Sequence, residues 1–228
     1  MKPDQRGSRT LLSAGLLTTT GGFLDAYTYY TRGGVFANAQ TGNIIKLGIA
    51  VAEGQPGAGV RYLLPIAAFM LGVVMSIEVE RWFDAHHPAY PRRAVLAVEI
   101  LLLAVVAFIP QSEGSNTIAN ALISLLCGMQ MQSFQIFRRQ GMATTVAMGN
   151  LRKSVELLDS AVAWHDRERL IQSAEFFWVI LLFILGVIVG AVCSRRFGIH
   201  ACLCAALLLL LNFINIGIVY RKVNGEER

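Results

Sequence analysis

Six long apolar runs divide this chain of 228 residues. The hydrocarbon core of a bilayer is about 30 Å thick and needs roughly 20 apolar residues per helix. Residues 201–211 contain no polar side chain, so a soluble bundle with one polar face per helix is excluded there. Only 15% of residues are charged. We therefore predict an all-α membrane protein with six transmembrane helices, at approximately 10–31, 59–81, 93–110, 116–137, 171–194 and 199–220.

One polar motif occurs twice in the chain. Gly21, Arg32, Gly34 and Thr41-Gly42-Asn43 in the first half are followed, 107 residues later, by matching residues in the second half. A second pair, Phe69-Met-Leu-Gly72 and Phe183-Ile-Leu-Gly186, follows the same order. Two copies of one unit in a membrane chain are typical of transporters and channels. The matching residues of the second half are Gly128, Arg139, Gly141 and Met148-Gly149-Asn150.

The two copies define repeats at about 10–110 and about 116–220 within a single membrane domain, 1–228. Each repeat contains three spans. Because three is an odd number, the second repeat lies in the membrane with the opposite orientation to the first. Most of the 20 Lys and Arg residues then fall on one side, which places the N- and C-termini in the cytoplasm. We predict two inverted three-helix repeats, each with a broken or re-entrant Gly-Asn segment.

The Gly-Asn segments are too polar to face lipid and too apolar for exposed loops. Irregular backbone at membrane depth persists only when it is buried or lines a wet cavity. A Gly-Asn step lets the chain turn through positive φ, and the following helix offers its N-terminus to a ligand. Helix capping or close helix packing is the alternative explanation. The predicted translocation residues are Asn38, Gln40, Thr41, Gly42, Asn43, Thr145, Gly149 and Asn150.

Asp25 lies in the middle of the first apolar run. A carboxylate there is costly unless it is paired, hydrated or protonated, which suits proton coupling. A structural pairing with Arg32 or Arg139 is the alternative. Gln132 takes the equivalent place in the second copy and shares a helical face with Gln135. We predict that this face lines the cavity, although hydrogen bonding between helices would also explain it.

Three charged residues are candidate charge partners of this site. Arg32 and Arg139 end their spans on opposite sides, where they could guide anions or anchor the helices at the interface. Glu99 lies within the third span and needs a partner or a proton. Function and packing explain Glu99 equally well.

The same residues resemble a known family. Gly-x-x-x-Asp at Gly21 to Asp25, Gly-Val-Phe with Ala-Asn, and Thr-Gly-Asn at 41–43 are similar to the YoaK family of small bacterial inner-membrane proteins, a domain of unknown function. The resemblance covers nearly the whole chain and implies a six-span, transporter-like protein of the bacterial inner (cell) membrane. It supplies no substrate. Met148 stands where a second Thr-Gly-Asn is expected, which removes any hydroxyl contact from that position.

We predict a transporter of a small polar or anionic solute, coupled to protons through Asp25, with its site at the repeat interface. A passive channel and a non-transporting scaffold or sensor are the alternatives. We expect no enzymatic activity, because no catalytic motif is present. We likewise expect no cofactor, metal or nucleic-acid partner. The expected partners are the lipid bilayer, the solute and, for so small a bundle, a second copy in a homodimer.

Overall fold

The described part of the chain is a bundle of α-helices. The computed structural model describes residues 11–86, 91–134 and 147–226. A 3₁₀ turn, Gly198–Ala201, joins the last two helices. The helices are α1 Leu11–Thr31, α2 Gln40–Ala52, α3 Pro56–His86, α4 Pro91–Val106, α5 Glu113–Ser133, α6 Ala147–Trp164, α7 Arg167–Phe197 and α8 Cys202–Glu226.

Each of the six predicted apolar segments is mainly helical over its described residues. Within the described ranges, two stretches are long and apolar enough to cross a membrane, Gly57–Phe83 in α3 and Arg167–Val219 in α7 and α8. Large apolar side chains of both stretches face outward, as in Trp178 and Ile188, each 55% exposed. In lipid, such a surface is solvated by the hydrocarbon chains.

Glycines bring the backbones of two helix pairs into contact. In the α3–α5 pair, a Cβ on Gly72 would lie 2.0 Å from the carbonyl oxygen of Leu125. In the α1–α7 pair, a Cβ on Gly186 would lie 2.1 Å from the carbonyl oxygen of Thr19. No real side chain tolerates these distances. Small residues at such crossings let membrane helices pack closely.

The partner helix in each pair also presents a glycine at the crossing. Gly128 of α5 faces the carbonyl of Phe69, and Gly22 of α1 faces the carbonyl of Phe183. The repeated motif pairs Gly21, not Gly22, with Gly128. The glycine of α1 that contacts α7 is therefore one residue further along the chain than the repeat predicts.

The remaining helices complete the bundle around these pairs. The short helix α2 packs on α3, and α6 packs on α7. Helices α4 and α8 pack on each other and join the two pairs, α8 to α1 and α4 to α5. A buried hydrogen bond of 2.7 Å from Ser13 to Asn212 fixes α1 against α8.

Candidate functional site

A cavity of about 690 Å³ lies between the α1–α7 pair and the α3–α5 pair. This volume is within the range of sites for small molecules. The starts of both short helices contribute to its wall, α2 through Gln40 and Thr41, and α6 through Ala147 and Met148. The other described lining residues are Asp25, Ala26, Tyr29, Tyr30, Phe36, Asn38, Ala39, Phe69, Met131, Phe183 and Val187.

Asp25 is the charged residue of the described cavity wall, and it also caps α2. Its Oδ1 accepts the backbone N–H groups of Asn38 at 2.8 Å and Ala39 at 3.2 Å. The Ala39 cap position has no side-chain cap of its own. A carboxylate at the positive end of a helix is favourable. Asp25 of α1 thus fixes the segment that leads into α2. Asp25 is only 5% exposed.

Asn43 holds the connection before α2 in place. Its side-chain amide donates to the carbonyl of Phe36 at 2.5 Å and to Oε1 of Gln40 at 2.9 Å, and its Oδ1 accepts the N–H of Phe36 at 3.0 Å. Gln40 in turn donates to the carbonyl of Ala37 at 2.7 Å. Asn43 is fully buried and is not among the described lining residues. It therefore shapes the cavity by positioning Phe36.

Gly42 makes room for the same ring, since a Cβ there would lie 2.7 Å from Phe36 Cδ2. The predicted turn through positive φ at Gly42-Asn43 is wrong, because both residues lie in the first turn of α2. The left-handed residues are Gly33, with φ of 83°, and Gly34, with φ of 74°. The chain reverses at these two glycines, before the short helix begins.

The second Gly-Asn segment starts α6 in the same manner. Gly149 is exposed and Asn150 is buried, in the first turn of that helix. The predicted site residues Gln135, Arg139 and Thr145 lie outside the described residues.

On α5, it is Met131 that lines the cavity. The neighbouring Gln132 is half-buried and is not among the described lining residues.

Arg32 binds the C-terminal end of α4. Its guanidinium is 1% exposed and donates to the carbonyls of Val106 at 3.0 Å, Ile109 at 3.0 Å and Pro110 at 3.2 Å. Cations are stabilised at this end of a helix dipole. Arg32 does not pair with Asp25. Its hydrogen bonds stabilise the end of α4, which is a structural role.

Glu99 is fully buried in α4, and neither of its carboxylate oxygens has a hydrogen-bond partner among the described residues. It is not part of the described cavity wall. The third candidate charge partner is thus separate from both Arg32 and the cavity.

The contribution of Phe69 on α3 and Phe183 on α7 to the aromatic wall was not predicted from the sequence. Tyr29, Tyr30 and Phe36 of the first half border the same cavity. A signal was available, because Phe69 and Phe183 begin the two copies of Phe-x-Leu-Gly. That repeat identified a duplicated unit and did not indicate which side chain faces a cavity.

The chain is similar to proteins of one family. The model of the family DUF1275, described as a protein of unknown function, matches residues 13–214. The UPF0700 transmembrane protein YoaK of Bacillus subtilis (strain 168) is 25% identical over 228 residues, covering 96% of each chain. No solved structure matches. The transmembrane relative and the outward-facing apolar helices agree, and the family match runs from α1 into α8, so this chain is a membrane protein of the DUF1275 family.

Proposed function

We propose that this protein is a membrane transporter, without enzymatic activity, that binds a small solute in the cavity between the two helix pairs. The observation that carries the proposal is the composition of the wall. Gln40 and Thr41 at the start of α2 and Ala147 and Met148 at the start of α6 border the same cavity. Sites where two short helices from different halves meet are typical of transporters built from inverted repeats.

The helix contacts support two inverted repeats of three spans each. The glycine crossing of α3 with α5 has a counterpart in that of α7 with α1. The packing of α2 on α3 has a counterpart in that of α6 on α7. Exchange of the two halves therefore maps each of these contacts onto another of the same kind, which supports the duplication; the inversion itself rests on the odd number of spans in each half.

The charge of the cavity bears on the solute. The sequence suggested a polar or anionic solute, with Arg32 as one guide for anions. Arg32 donates a hydrogen bond to the end of α4. The described cavity wall contains one carboxylate, that of Asp25, and no Lys or Arg. Two like charges about 5 Å apart repel by about 3 kcal/mol at an effective dielectric constant of about 20. We therefore retain a small polar solute and not an anion.

Asp25 is our candidate for proton coupling. Its carboxylate is buried, borders the cavity and contacts only backbone N–H groups among the hydrogen bonds described for it. A proton on this group would cancel the charge that faces the solute. We expect Asp25→Asn to fold and to lose any dependence of transport on a proton gradient, since an amide oxygen still accepts both N–H groups. Unchanged coupling in the variant would remove Asp25 from the mechanism.

The topology can be tested without knowing the solute. Ala52→Cys at the exposed end of α2 and Ala163→Cys in the exposed last turn of α6 are each introduced into a protein whose native cysteines are replaced by alanine. A membrane-impermeant maleimide is then applied to right-side-out and inside-out vesicles. We expect the cysteine at Ala52 to react from the outer face and that at Ala163 from the cytoplasmic face. Reaction of both from one face only would refute the inverted arrangement.

Flux in proteoliposomes separates the three functional classes. Uphill uptake driven by a proton gradient supports the transporter. Purely downhill flux would indicate the passive channel instead. The absence of flux for a broad panel of small solutes would indicate a scaffold or sensor.

A further inference from the structure

We propose that the cavity selects organic cations, such as amines or quaternary ammonium compounds with an apolar body; this inference rests on the proposed function and specifies its solute. The geometry combines one carboxylate with a wall of aromatic rings. Asp25 borders the cavity together with Tyr29, Tyr30, Phe36, Phe69 and Phe183. The other described lining residues are neutral.

Aromatic rings attract cations through the negative potential of their faces. This attraction strengthens when the cation is removed from water, as it would be in a cavity with a mostly apolar wall. A neutral or anionic solute gains nothing from the ring faces beyond apolar contact. The rings thus select for charge as well as for shape.

The protein itself places a cation on two of these rings. The ammonium of Lys46 lies 4.8 Å from the ring centroid of Phe36 and 5.3 Å from that of Tyr29. Lys46 also donates to the carbonyl of Gly34 and is not among the described lining residues. Both rings therefore already contact a cation, and both also border the cavity.

Asp25 supplies the countercharge at the wall. Its Oδ1 is directed to the N–H groups of Asn38 and Ala39, which fixes the carboxylate without neutralising it by a side-chain cation. No salt bridge to Asp25 occurs among the residues that the structure covers. An organic cation in the cavity can take that place.

Binding to the purified, detergent-solubilised protein tests the charge preference. The probes are benzyltrimethylammonium as cation, phenylacetate as anion and benzyl alcohol as neutral compound, and the measurement is isothermal titration calorimetry. We expect the cation to bind at one site per chain and at least about tenfold more tightly than either other probe. Tighter binding of phenylacetate, or no binding of the cation, would overturn the proposal.

Two matched variants test whether the Asp25 carboxylate binds the cation. Asp25→Asn should weaken binding of the cation at least about tenfold. Glu99→Gln, which removes a buried carboxyl outside the described wall, should leave it unchanged. Equal binding by wild type and Asp25→Asn would overturn the proposal. The probe series on the unmodified protein decides the charge preference even where a variant does not fold.

A second pair of variants tests the rings. Phe183→Leu keeps an apolar side chain at the wall but removes a ring face, and it should weaken binding of the cation more than that of benzyl alcohol. Phe108→Leu changes an outward-facing ring that is 74% exposed and should alter neither. Equal loss for both probes with Phe183→Leu would contradict the role of the rings. Vesicle labelling at Ala52 and Ala163 is independent of these results, so failure of cation binding alone leaves the proposed transporter in place.

Discussion

The buried guanidinium of Arg32 leads to a quantitative prediction about stability. It satisfies the carbonyls of Val106, Ile109 and Pro110 at and beyond the end of α4. Arg32→Met keeps a long apolar stem and removes all of these donors. If Arg32 served to guide anions, the change would affect transport and leave the fold unaltered. The structure predicts the opposite.

The expected loss follows from the three carbonyls. The Val106 bond is buried, and a buried acceptor left without a partner costs about 1–3 kcal/mol. The bonds to Ile109 and Pro110 are part-buried, so water or lipid headgroups replace some of their energy, and we assign them about 1 kcal/mol each. We expect Arg32→Met to lower the free energy of unfolding by about 3–5 kcal/mol.

Thermal unfolding of the purified protein in detergent measures this loss. At about 2–4 °C per kcal/mol for a chain of this size, the midpoint should fall by roughly 10 °C. The control is Arg61→Met, because the Arg61 side chain is 35% exposed and its described contacts are a hydrogen bond of 2.9 Å to the carbonyl of Gly33 and an ion pair of 3.9 Å with the exposed Glu113. That change should cost less than about 1 kcal/mol. Equal shifts for the two variants would refute the structural role of Arg32.

Three further predictions concern single positions. Gly186→Leu should prevent folding because its Cβ would meet the α1 backbone at 2.1 Å, whereas Gly48→Leu, with open space around it, should fold; size-exclusion profiles in detergent distinguish the two. Gly42→Leu should displace the ring of Phe36 and reduce transport or probe binding at least about tenfold, with expression maintained; normal binding would show that the ring position is unimportant. Glu99→Leu should raise the thermal midpoint, because it replaces a buried carboxyl that lacks a described partner, and a lower midpoint would reveal a partner that the leucine cannot replace.

The helices were predictable because their signal is local. Apolar runs of membrane length identified six segments, and all six are mainly helical over their described residues. The end of α4 differs from the prediction, which extended the third span to residue 110, whereas the helix ends at Val106. Its last carbonyl and those of the following turn are bound by Arg32, the residue that follows α1. Such an end depends on a contact between distant segments, which periodicity does not encode.

Part of the site was predictable because its signal in the sequence is also local. Asp25 stood out as a carboxylate within an apolar run, and it does border the cavity. Its role as a cap for α2 could not be predicted, because the residue and the helix it caps belong to different elements. Thr41 borders the cavity, whereas Gly42 and Asn43 contact Phe36 and are not among the described lining residues. A repeated motif indicates that a segment is important for structure or function. It does not indicate which side chains of that segment face the cavity.

The glycine crossings have a mechanical consequence. At the two glycine crossings, no side chain separates the backbone of α1 from that of α7, or that of α3 from that of α5, so sliding of either pair would bring backbone atoms into collision at Gly186 and Gly72. Helices α1 and α5 make few contacts, and the cavity lies between the two pairs. Each pair contains one helix from each half of the chain. If the proposed transporter opens alternately to the two faces, we expect each glycine-packed pair to move as one body.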